Sequence, residues 1–303
     1  MPKSNLKFFL AGVLSFAIWG FFSIPLRNLK EFPSEEILYY RIFTSLVFIW
    51  IAIGLFRRKQ LKADFRYITL VGAKEKRTIV LQIVAATVFL ILNWYTFIYA
   101  VNHVSLQSAA FAYMVCPLLT AFGGFVLLKE ELSRIKLISL GIALLSIILL
   151  ATGSLIEVAW SVGIALLYAF YLLIQRKMQH LDKLNVLAVQ ITVAVLLMLP
   201  FYLSKHEQFP DSLLFWGNIW LVAIVFTIIP LFLSLYALIG IPSSTLGVMM
   251  YINPIIAFAV AVLYFNEVID THKLFAYLLL LSSVVLFNWG IIKDIINFRG
   301  KTV

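Results

Sequence analysis

Charge is scarce in this chain and cysteine nearly absent. Only 13% of its 303 residues are Asp, Glu, Lys or Arg, about half the share in a soluble globular protein. A water-soluble fold of this length would run short of polar groups for its surface, which excludes an ordinary soluble enzyme. The 63% hydrophobic content excludes a disordered chain. The single cysteine, Cys116, excludes an internal disulfide framework. The four histidines, His103, His180, His206 and His272, lie at or near the ends of apolar runs. None has metal-ligand spacing with a cysteine or another histidine, so neither a metal nor a cofactor is expected. Walker A and nucleophile-elbow patterns are missing, so the sequence offers neither ATP-driven chemistry nor acyl transfer, and the chain does not read as an enzyme. No Asp or Glu sits deep in an apolar run. A carboxylate proton relay therefore rests only on Glu36, Glu130 and Glu267 at run ends. No run alternates with period two, which argues against a membrane β-barrel.

Long apolar runs are what the chain has. A membrane-spanning helix needs about 20 mostly apolar residues, and the sequence predicts ten, near 8–26, 36–56, 78–101, 104–128, 135–153, 158–175, 184–204, 214–239, 243–265 and 273–292. The first follows Lys3 and Lys7 like a signal peptide, but it is too long and lacks a small-x-small cleavage site, so it reads as a retained helix. With the N-terminus placed inside, the inner loops and termini hold 19 Lys and Arg against 4 outside. That bias puts both termini in the cytoplasm. The formal charge of +10 is thereby explained by topology and by contact with anionic lipid, not by nucleic acid. The longest polar insert, 57–77, carries eight basic and two acidic residues. It reads either as a topogenic loop with a short interfacial helix or as a regulatory surface.

Offsetting the chain by 137 residues lays Tyr99-Ala100 on Tyr236-Ala237, Ser108 on Thr245, Pro117 on Pro254 and Glu130 on Glu267. Five spans per half is odd, so a second copy must insert upside down. The expectation is an all-α polytopic membrane protein: ten helices as two inverted five-helix repeats, 1–153 and 154–303, with substrate sites near the midplane between them. Pro117 and Pro254 are expected mid-helix, each freeing a carbonyl four residues back, on Tyr113 and Met250. They mark either a shared kink beside a cavity or the ordinary abundance of proline in membrane helices. Pro230 and Pro25 carry less information.

Arg41 is the one charge inside a span. It reads either as an anion or carboxylate contact, or as a side chain that snorkels outward or pairs with Glu35 or Glu36. Asn93, Tyr95, Tyr99, Gln107, Tyr113, Gln190, Tyr251, Asn253 and Asn288 are the other polar groups in spans. They suit either helix–helix hydrogen bonds or a mostly apolar pocket with a few orienting contacts. Trp160, Trp216, Trp220 and Trp289 read as interfacial anchors.

An ordered series then emerges: Trp19-Gly20, the stretch EILYYR ending in Arg41, Asn93-Trp94, Tyr99-Ala100-Val101-Asn102, Pro117 and Glu130. Ser244-Thr245-Leu246-Gly247, Tyr251, Pro254 and Glu267 follow in the second half. Along essentially its whole length the chain resembles the RarD branch of the EamA-like drug/metabolite transporters. The resemblance implies a permease of the bacterial inner membrane, often linked to chloramphenicol sensitivity, with a central cavity lined from both halves. It implies a small-molecule substrate held by Trp19, Arg41, Asn93, Trp94, Tyr113 and Tyr251. Tyr40 stands where the pattern often has histidine, and the second-half counterpart of Asn93-Trp94 is Pro230-Leu231, so the two halves differ chemically. Oligomeric state, monomer or homodimer, is left open. The competing expectation is a non-transporting scaffold or sensor that uses the basic 57–77 loop.

Overall fold

The structure is a computed structural model and describes residues 3–128, 133–178, 180–204, 209–240, 249–268 and 270–290. Lys129, Glu130, Lys205, His206, Pro242, the Ser244–Gly247 stretch, Lys293, Arg299 and Lys301 lie outside the described residues, as does the Gln107 side chain. Among the described residues there is no strand. The helices are α1 (Lys3–Gly20), α2 (Ser23–Arg27), α3 (Ser34–Phe56), α4 (Arg58–Leu70), α5 (Ala73–Tyr99), α6 (Leu106–Leu128), α7 (Arg134–Gly153), α8 (Leu155–Lys177), α9 (Lys183–Ser204), α10 (Leu213–Ala223), α11 (Ile229–Gly240), α12 (Ile252–Leu263) and α13 (Thr271–Phe287). Two π-helical turns, Ala100–Val104 and Ile224–Ile228, continue α5 and join α10 to α11.

Helix is the only open-ended way to satisfy every backbone group without water, which is why apolar runs this long fold so. Where the runs end, serines cap them. Ser133, Ser154 and Ser212 accept from the amides of Lys136, Glu157 and Phe215 and start α7, α8 and α10. Seven helical stretches among the described residues are long and apolar enough to cross a bilayer: Leu6–Arg27, Ser34–Phe56, Ala73–Val104, Ser108–Leu127, Leu155–Gln175, Lys183–Ser204 and Leu213–Ser234. The protein is a multi-pass membrane protein. Its helix α5 starts at Ala73, five residues before the expected span, and runs on through the π turn that holds Asn102 and His103.

The helices interleave. α1 packs on α11 and α12, α3 on α9 and α10, α5 on α8 and α9, α6 on α8 and α12, and α7 on α13. Small residues and serine hydroxyls clasp these contacts, as expected where apolar side chains gain nothing by leaving lipid. Ser146 Oγ donates to the Ala276 carbonyl at 2.7 Å and Ser283 Oγ to the Ser139 carbonyl at 2.6 Å, joining α7 to α13. At Gly20 the α1 backbone comes so close to α12 that an added Cβ would lie 2.5 Å from the Ile256 Cβ. Large apolar side chains such as Leu144, Leu145, Leu196 and Leu278 are exposed. In water they would be a liability. Against lipid tails they are the expected outer surface.

The basic insert forms helix α4, with none of its residues buried. Asp64 fastens it to the turn before α9, accepting from the Asp182 amide at 3.1 Å and from Asn185 Nδ2 at 2.7 Å. Near the end of α4, Tyr67 donates to Glu75 at 2.7 Å, and this bond raises the phenol pKa above its ordinary value.

Candidate functional site

Five chain segments converge on one cavity deep in the bundle. α1 brings Phe16 and Trp19, α3 brings Arg41, α5 brings Leu90, Asn93, Trp94 and Phe97, and α6 brings Tyr113. The π turn at Ile224–Ile228 brings Phe226 and Thr227. Phe22, Tyr168, Leu231, Met250 and Asn253 complete the wall. Arg41 is its one charged group among the described lining residues. The cavity volume is about 50 Å³, room for a few waters. A metabolite needs a pocket of roughly 300–1,000 Å³, so the helices must part to admit one.

Arg41 is 3% exposed. Its Nε donates to Thr227 Oγ1 at 3.1 Å. Its guanidinium carbon lies 4.0 Å from the Trp94 ring centroid and 4.9 Å from that of Phe22. Aromatic faces attract a desolvated cation in this geometry. Its Nη1 is buried with no hydrogen-bond partner, and no carboxylate among the described residues forms an ion pair with it. Arg41 thus neither snorkels outward nor pairs with Glu35 or Glu36. Asn93, 1% exposed, donates from Nδ2 to the Ile164 carbonyl at 3.0 Å, while its Oδ1 is buried and unpartnered.

One wall is built where a π-helical turn interrupts the α-helical pattern between α10 and α11. Pro230 supplies no N–H, which leaves the Phe226 carbonyl four residues back without its helical donor. Trp19 Nε1 donates to that carbonyl at 2.9 Å. Ser15 Oγ donates to the Pro230 carbonyl at 2.7 Å. Thr227 Oγ1 donates to the Val222 carbonyl at 2.8 Å, five residues back, as the wider π turn permits. These bonds place Thr227 against Arg41 and fasten α1 to α11.

Of the expected site residues, Trp19, Arg41, Asn93, Trp94 and Tyr113 line the cavity together. Tyr251 does not; it is buried beside it, and its neighbours Met250 and Asn253 reach the wall instead. Pro117 lies inside α6. Pro254 stands in the first turn of α12, just after the non-helical Met250-Tyr251 step, where a missing N–H costs no interior bond. Thr227 and Phe226 were not singled out in the sequence. The one signal for them was Pro230, whose freed carbonyl is that of Phe226. No group of His, Cys, Asp and Glu among the described residues could hold a metal. Trp216, near the start of α10, donates from its indole to the Pro210 carbonyl at 2.7 Å, and its ring packs on Tyr40.

Comparison with known proteins adds a separate line. The model of the EamA-like transporter family matches residues 6–152 and, a second time, 155–289. An uncharacterized transporter of Bacillus subtilis, YojE, is 28% identical, covering 92% of this chain and 93% of its own. Protein RarD of Streptomyces exfoliatus is 27% identical, covering 96% of this chain and 91% of its own. Protein RarD of Escherichia coli is 26% identical over 94% and 95%. One solved crystal structure superposes with a TM-score of 0.63 at 15% identity, covering 92% of this chain and 96% of that one. That likeness concerns the fold alone.

Proposed function

The chain belongs to the EamA-like transporter family, and from that premise we propose that it is a secondary permease moving a small metabolite or drug-like solute by alternating access. The observation that carries the reading is the buried cavity lined from both halves of the chain, with an uncompensated arginine in its wall. A charge at such depth is costly and marks substrate or ion pathways in membrane proteins. Trp19, Arg41, Asn93, Trp94 and Tyr113 contact the solute in this reading; Tyr251 supports them from behind.

The proposed frame is ten membrane helices in two inverted halves, 1–153 and 154–303, with both termini in the cytoplasm of a bacterium and the protein in its inner membrane. Two observations support it. The family model matches the chain twice. The largest helix contacts also map onto one another when the halves are exchanged. Take α1 with α8, α3 with α9, α5 with the α10–α11 pair, α6 with α12 and α7 with α13. Then α1 on α11 becomes α8 on α5, α1 on α12 becomes α8 on α6, and α3 on α10 becomes α9 on α5. The contacts of α3 with α9, α6 with α12 and α7 with α13 map onto themselves. A pseudo-two-fold axis in the membrane plane produces this pattern.

The test is counterflow in liposomes loaded with a panel of metabolites, chloramphenicol included. Exchange of at least one solute, lost in Arg41→Gln and weakened in Asn93→Ala, is the expected result. No exchange of any solute, with neither substitution altering any phenotype in cells, would end the permease reading.

A further inference from the structure

We infer that the solute held at this site is a small monocarboxylate that carries a separate hydrogen-bond donor on an otherwise apolar body. The inference rests on the permease reading of the cavity and adds the chemistry of its occupant.

The charge is the first argument. A guanidinium buried at this depth calls for a counter-charge, and the protein supplies none among its described ion pairs. Arg41 is also the one charged lining residue among those described. One fixed positive charge balances one negative charge. A phosphate ester, at about −1.5 to −2 near neutral pH, would leave an excess buried in the membrane.

Shape is the second. Two rings lie against the Arg41 guanidinium, Trp94 the nearer and Phe22 farther off. Its Nε is spent on Thr227 Oγ1. What remains is the in-plane end with Nη1, which has no acceptor. A planar carboxylate approaching end-on fits that edge.

The donor on the solute follows from Asn93. Its Nδ2 is fixed by the Ile164 carbonyl at 3.0 Å; the reversed amide would set two oxygens against each other. Oδ1 is therefore the atom turned to the interior, an acceptor buried without a donor. A hydroxyl or amino hydrogen on the solute satisfies it. Trp19, Phe97 and Tyr113 supply a wall suited to a compact apolar body.

The full chain in nanodiscs would be titrated by tryptophan fluorescence, Trp19 and Trp94 being the reporters. Three matched probes are used: 2-hydroxy-4-methylpentanoate, its amide, and 4-methylpentanoate. The hydroxy acid is expected to bind saturably, the amide at least ~10-fold more weakly, and the acid without the hydroxyl ~3–10-fold more weakly. Arg41→Gln should erase the preference for acid over amide and Arg41→Lys should keep it. Should Arg41→Gln fail to insert, the three probes on the unaltered chain decide alone. Equal binding of acid and amide, binding of neither, or a preference that survives Arg41→Gln overturns the inference. Failure of the permease reading looks different. Carboxylate binding without exchange of any solute sinks that reading alone. Exchange of a neutral solute that Arg41→Gln leaves intact sinks the carboxylate inference and leaves the permease standing.

Discussion

Helices α3 and α9 carry a buried polar residue at the same place, the eighth position: Arg41 in Ser34–Phe56 and Gln190 in Lys183–Ser204. The third positions, Glu36 and Asn185, are also both polar and buried. Gln190 lies in a neutral side-chain network. Its Oε1 accepts from Gln175 Nε2 at 3.0 Å, and the same nitrogen donates to the Tyr171 hydroxyl at 2.8 Å. Gln190 Nε2 and Arg41 Nη1 both lack a partner. What separates the two positions is charge and surroundings: Arg41 lines the cavity and Gln190 does not. An unpaired amide hydrogen in a packed interior is a modest defect. An unpaired cation at an internal cavity is the anchor of the site proposed above. The first half of the chain thus brings the charge and Asn93 to the cavity, and the second brings Asn253 and the π turn with Thr227.

The largest test of that contrast removes the charge. Arg41→Gln makes the two eighth positions alike and is expected to lower kcat/KM for exchange by at least ~30-fold, the cost of truncating a buried charge contact. Adding Gln190→Arg returns the charge to the wrong half and should restore nothing in the same flux assay. Recovery there would mean that the halves are interchangeable.

Next in size is the crossing at Gly20. Gly20→Val drives a side chain into Ile256, and ~1–3 kcal/mol of stability should be lost, read as a lowered thermal midpoint in detergent. Gly141, about which an added Cβ meets nothing within 4 Å, is the control: Gly141→Ala should leave the midpoint within a few degrees.

The π turn at Ile224–Ile228 gives a smaller effect. Trp19→Phe leaves the Phe226 carbonyl without a donor and is expected to cost ~1–3 kcal/mol. In a Pro230→Ala background, where the helix supplies its own N–H, the same change should cost ~1 kcal/mol less. Additive losses would show that proline and indole are not coupled.

The ion pairs come last. Arg27 Nη2 lies 2.5 Å from Glu267 Oε1, and Lys273 Nζ lies 2.8 Å from Glu157 Oε1. All four side chains remain partly exposed, so Arg27→Gln and Lys273→Gln should each change stability by no more than ~1 kcal/mol and less at high salt. A larger loss at Arg27 alone would mark that pair as a latch between α2 and the end of α12.

The helices could be read from the sequence because a run of about 20 apolar residues has few other fates. Arg41 stood out for the same reason, a lone charge in such a run. Thr227 did not: a threonine among Ile, Val and Phe carries no signal until the neighbouring turn widens and points it at a guanidinium 186 residues away in sequence. Pro230 carries little information in the sequence because proline is common in membrane helices, and its effect is visible only with Trp19 on the freed carbonyl. Tyr251, which the resemblance implies, is buried outside the cavity lining, where Met250 and Asn253 stand instead. The docking of α4 was equally hidden, because Asp64 meets Asp182 and Asn185 only through tertiary packing.

The lone guanidinium also has an electrical meaning. An arginine keeps its charge throughout a transport cycle. With the proposed monovalent anion seated, the site would be electroneutral; without it, one positive charge would remain at membrane depth. The transmembrane voltage, worth about 2.3 kcal/mol per elementary charge per 100 mV across the full field, then acts on the empty carrier and hardly on the loaded one. Polarising the membrane would alter how fast the vacant protein resets, and flux against voltage would saturate where that reset ceases to be the slow step.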